Sequence, residues 1–206
     1  MKIKFNYTLL LALLMVGGLT ANAQKYTVES MKMELEDRTK ADGDRDYEQL
    51  LEWAGETLEH PKTSNDPKMW FYRGLTYLKV AGLNNELSKA NPDAIKTAYK
   101  AFNKAIETDV KNRVTKDAKA YLLNVAIGLY NTGYTSYANE DFTAAYNDFE
   151  MALPLLEYDT EELLKKSNLT AEVLQQMMAF SAMNNGEEAK AIKGFESLVN
   201  KGSLEP

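Results

Sequence analysis

From Thr27 to Asn200 apolar residues recur at three- and four-residue spacing, and no stretch alternates with period two. Asp and Asn stand where helices should start, and Gly or Asn where they should stop. This pattern predicts helices over 27–40, 46–59, 67–81, 93–108, 117–139, 141–157, 169–184 and 187–200. Asp66-Pro67 and Asn91-Pro92-Asp93 place proline near a helix start, where its missing N–H costs nothing. Short turns then pair the helices into hairpins near 27–60, 66–109, 117–157 and 169–200. The predicted class is all-α.

The hairpins repeat in residue type as well as in length. Trp70, Gly74 and Tyr77 on one helix are followed by Ala98, Phe102 and Ala105 on the next. Leu129 and Gly133 are followed by Phe142, Ala145, Phe149 and Ala152, and more weakly Ala179 and Ala182 by Ala191, Phe195 and Leu198. Tyr47, Leu50 and Ala54 make a degenerate first unit. These residues resemble the tetratricopeptide repeat, which implies a right-handed α-solenoid of antiparallel helix hairpins over 24–206. Small residues at those positions let helices approach closely, and the bulky ones fill the grooves between them. The units lie about 46 residues apart rather than the family's 34. The extra residues fall at Gly82 to Asn91, Lys111 to Val125 and Tyr158 to Ala171, read as helical extensions or, at Asp159 to Ser167, a short added helix.

The first residues have a different logic. Lys2 and Lys4 precede an uncharged, mostly apolar run to Leu19, and Ala21-Asn22-Ala23 offers a small-x-small cleavage site. Residues 1–23 therefore read as a signal peptide, with Gln24 starting an exported chain in the periplasm, the cell envelope or the medium. Losing both lysines shifts the balance from 24 basic and 30 acidic residues to 22 and 30. The absence of cysteine excludes disulfides, thiolate metal sites and a lipid anchor on cysteine. The acidic balance argues against nucleic acid as partner.

Catalytic and metal signals are weak. Asp42, Asp44 and Asp46 have the one-three-five spacing of a calcium loop, but Tyr47 and Trp53 stand where glycine and glutamate are needed. The same aspartates read as an acidic turn that caps the next helix. The single His60 has no evident serine or carboxylate companion for acid–base work. No phosphate loop, dinucleotide fingerprint or nucleophile elbow occurs. The expectation is a chain with no catalytic residues, metal or cofactor.

Binding signals are stronger. The resemblance implies a concave groove lined by each unit's first helix. Carried over by spacing, its residues are Phe71, Leu75 and Leu78, then Tyr130, Tyr134 and Tyr137, then Gln176, Phe180 and Met183. Tyrosine combines wide apolar contact with a hydroxyl tip, which suits a wet recognition surface. The same tyrosines could equally pack inside against the insert at Gly82 to Asn91. The repeats that clamp a C-terminal carboxylate carry lysine and asparagine where Phe71 and Leu75 stand here, and an acidic chain should repel an acidic tail.

The sequence ends Asn200-Lys-Gly-Ser-Leu-Glu-Pro206 with no capping helix, which predicts either further repeats or an interface such as a homodimer at that edge. The expected function is a non-catalytic protein–protein interaction scaffold of the periplasm or envelope, gripping a partner segment in the groove. The alternative is a glycan- or nutrient-binding accessory of an outer-membrane uptake system, with Trp53 and Trp70 as stacking residues.

Overall fold

The computed structural model describes residues 26–58 and 63–200. The signal segment, His60 and the C-terminal residues 201–206 lie outside the described residues. The described chain is helical throughout, with no strand. Its helices are α1 (26–36), α2 (Tyr47–Glu56), α3 (Pro67–Gly82), α4 (Glu86–Ala90) and α5 (Ala94–Thr108), then α6 (Thr115–Ala138), α7 (Phe142–Ala152), α8 (Leu163–Lys166), α9 (Ala171–Asn184) and α10 (Glu188–Asn200). None is long and apolar enough to cross a membrane.

Side-chain caps start the helices where the sequence places them. Asp46 accepts from the Gln49 N–H, Asp66 from Lys68, Asp141 from Ala144 and Thr170 from Val173, each satisfying an otherwise unpaired donor. Pro67 occupies the first turn of α3. Residues in the left-handed region stop helices or turn the chain, among them Asn84, Asn112, Glu140 and Gly186.

Three of the departures from expectation have a local reason. α1 ends at residue 36 rather than 40, where the buried Arg45 guanidinium donates to the Glu34 carbonyl of its last turn and to the Asp37 and Lys40 carbonyls that follow it. The predicted helix over 141–157 passes into a 3-10 segment, Leu153–Tyr158, at Pro154, which has no N–H to continue the α pattern. The insert between α3 and α5 folds as α4, started by an Asn85–Ser88 capping box.

Packing runs mainly between neighbours in chain order: α2 on α3, α3 on α5, α5 on α6, α6 on α7, α7 on α9 and α9 on α10. Glycines set the closest approaches. A β-carbon on Gly74 would stand 2.8 Å from the Phe102 ring, and one on Gly128 would stand 2.4 Å from the Ile95 side chain. Phe102 and Phe149 are both fully buried, each worth about 1.5–3 kcal/mol in apolar burial. Phe102 also stacks on Tyr121 at 5.7 Å between ring centroids, and Phe71 packs edge-on against it at 5.9 Å. This aromatic cluster joins α3, α5 and α6.

Candidate binding seam

α3 and α6 lie side by side, and two hollows open along the seam between them. One, of about 750 Å³, is walled by residues 68–75 of α3, residues 113–121 at the start of α6, and the second half of α1. The other, of about 700 Å³, is walled by residues 78–82 of α3, residues 124–136 of α6 and the start of α5. Both helices thus advance in the same direction past the two hollows.

The expected groove residues divide among several environments. Phe71 and Leu75 are only 6% and 5% exposed and form the floor of the first hollow, with the Phe71 ring among Tyr72, Phe102 and Tyr121. Leu78 is half-buried and opens into the second hollow beside Ile127. The three tyrosines do not present one open face. Tyr130 packs on the Phe149 ring at 5.9 Å, and Tyr137 packs on Phe142 at 5.3 Å while its hydroxyl accepts from Asn184 Nδ2 at 2.8 Å. Tyr134 alone of the three is exposed, at 57%. The residues beneath Tyr130 and Tyr137 belong to α7, not to the insert that carries α4. Gln176 is half-buried, Phe180 packs edge-on against Phe195 at 5.2 Å, and Met183 is exposed.

The other candidates have structural partners. Asp42 accepts from Lys79 Nζ at 2.6 Å and Asp46 caps α2, so these two aspartates of the calcium-like run are engaged elsewhere. Among the described residues no three His, Cys, Asp or Glu side chains are grouped to hold a metal ion. Trp53 and Trp70 are half-buried against the core, and the Trp70 indole N–H donates to the Ser64 carbonyl at 2.7 Å.

Two polar features were not legible as motifs. At the second hollow, Lys96 Nζ lies 2.9 Å from Oδ1 of Asp148, a carboxylate only 1% exposed. Asn124, Asn131, Thr135 and Ser136 line the same hollow. Bonded to Val114 of the first hollow's wall, Asp109 is buried, which opposes its ionisation, but hydrogen bonds from Val114, Arg113 and Thr115 outweigh that and hold the carboxyl at about 2. Asp109 thereby accepts from the Val114 and Thr115 N–H groups at the start of α6.

Charge is also unevenly spread. The acidic balance predicts repulsion of acidic partners, yet Lys32, Arg38, Arg45, Lys68 and Arg113 line the first hollow against Glu36, Asp37 and Asp117. These cations come from α1, the α1–α2 connection, α3 and the residues before α6, so no linear stretch announces them. Of the known protein families none has a model that matches the chain, and no curated protein matches it.

Proposed function

We propose that this chain is a non-catalytic interaction scaffold, an exported α-solenoid of tetratricopeptide-like hairpins that holds a partner segment along the α3–α6 seam. The recurrence of one contact supports the repeat: Gly74 meets Phe102 and Gly133 meets Phe149, in both cases at 2.8 Å from the built β-carbon. Packing between chain neighbours is what stacked hairpins require. The observation that carries the binding role is the pair of hollows, which gives the seam apolar side chains at Leu75, Leu78 and Ile127 flanked by unburied polar groups. An extended segment needs that mixture: pockets for side chains and amide or hydroxyl partners for its backbone.

The test uses exposed Ile127. Protein carrying Ile127→Glu should lose a segment that the unaltered protein captures from envelope extract, with helicity and unfolding midpoint unchanged. Equal capture by both proteins would remove the seam from the account.

A glycan- or nutrient-binding role is the second reading. What favours it is the amide and hydroxyl wall of the second hollow, formed by Asn124, Asn131, Thr135 and Ser136. The tryptophans favour it less, since both pack against the core. Calorimetric titration with neutral oligosaccharides, using Asn131→Leu as control, separates the two readings.

A further inference from the structure

The first hollow holds more cationic capacity than the fold uses. Arg45 is consumed by the end of α1, where it binds three carbonyls. The other four make no side-chain hydrogen bond among the described residues. Lys68 lies 3.8 Å from Glu29, and Arg113 lies 3.8 Å from Asp66 and 3.9 Å from Asp109, beyond hydrogen-bond reach. Lys32 and Arg38 form no ion pair among the described residues. Of the hollow's three carboxylates, Glu36 accepts from the Tyr72 hydroxyl at 2.7 Å and Asp37 from the N–H and hydroxyl of Thr39, and among the described residues neither is paired with one of these four cations. Unspent donors therefore surround a floor of Leu75 and Tyr121.

We propose that this hollow takes an acidic stretch of the partner segment, an extended peptide whose carboxylates meet Lys32, Arg38, Lys68 and Arg113 while an apolar side chain sits over Tyr121. The inference rests on the seam reading above and gives its partner a chemistry. Arginine and lysine around a part-buried floor form charge-assisted bonds to carboxylates that are stronger than neutral ones. The cations are gathered in a concavity and interleaved with acids on a chain of net charge −6. A lipid surface or a nucleic acid calls instead for a broad basic face. Two of the four cations lie on or just after α1, outside the first-helix positions at which Phe71 and Leu75 stand.

Fluorescence anisotropy tests this with a labelled peptide of alternating Glu and Leu or Phe, and with its Gln-for-Glu twin. The acidic peptide should bind about tenfold tighter than the twin at low salt, and the difference should shrink at about 0.5 M salt. Lys32→Glu with Arg38→Glu should abolish the preference, and Lys32→Gln with Arg38→Gln should reduce it, with helicity retained in both. Equal binding of the two peptides, or a preference that survives charge reversal, would overturn the proposal. So would tighter binding of anionic vesicles or of duplex DNA than of the acidic peptide. If the twin binds as well as the acidic peptide, the acidic assignment fails while the seam stands. If neither binds, the proposal fails, and the Ile127→Glu capture experiment decides the seam separately.

Discussion

Gly133 on α6 lies directly beneath the ring of Phe149 on α7, so that a β-carbon there would stand 2.8 Å from Cε1. Phe149 is fully buried, which leaves the ring little room to retreat. The same relationship joins Gly74 and Phe102, across a connection that also contains α4.

Adding a methyl group at Gly133 or Gly74 should therefore destabilise the fold. Overpacking costs about 1–3 kcal/mol, against a gain of up to about 1 kcal/mol from replacing glycine in a helix. Gly55 on α2 has nothing within 4 Å of its built β-carbon, so Gly55→Ala should stabilise by about 0.5–1 kcal/mol. Urea unfolding of the three alanine variants checks the opposite signs. Adding Phe149→Leu to Gly133→Ala should cost less than the sum of the two single changes.

Asp109 makes stability depend on acid. Its carboxyl is held at about 2 in the fold against an ordinary 3.8, so its stabilisation is complete above about pH 4 and is lost as pH falls from there through 2. Asp109→Asn should lower stability at neutral pH by about 2 kcal/mol, since bonds to a charged acceptor are exchanged for weaker ones. The variant should also show a flatter loss between pH 4 and pH 2. Unfolding midpoints across that range provide the comparison.

The Lys96–Asp148 pair should respond asymmetrically. Lys96→Met leaves a buried carboxylate without its cation and should cost about 3 kcal/mol, while Lys96→Met with Asp148→Leu should recover most of that loss. Thermal melts of both variants read the difference. Equal destabilisation by the single and double changes would mean that the pair's burial is not what makes its removal costly.

Arg45 should tolerate lysine poorly. Two nitrogens of its guanidinium serve three carbonyls, which the single ammonium nitrogen of lysine cannot reproduce. Arg45→Lys should destabilise by about 1–2 kcal/mol, and hydrogen exchange should be fastest at the end of α1.

Much of the fold was legible because its determinants are local. Asp46, Asp66 and Asp141 announce helix starts within three residues of the donors they satisfy, and helical spacing separates buried from exposed faces. Pro154 shows the limit: the pattern runs on to residue 157, but the missing N–H converts the last turns to 3-10 geometry. The site was less legible. Spacing placed Tyr130, Tyr134 and Tyr137 on one helix, but α7 brings Phe149 and Phe142 under two of them. Lys32 and Arg113 come together only once α1 packs beside α3 and α6, and no periodicity records that. Asp109 has a signal in hindsight: an aspartate a few residues before a helix, followed by Asn112 in the left-handed region.

The seam can be tested most directly by site-specific photo-crosslinking. A benzophenone amino acid replaces Ile127 in one protein and exposed Lys100 on α5 in another, and both are irradiated in the cells that produce them. A partner held along the seam should give one discrete crosslink from position 127, lost on competition with the acidic peptide, and none from position 100. Crosslinks of equal yield from both positions, or from position 100 alone, would contradict it.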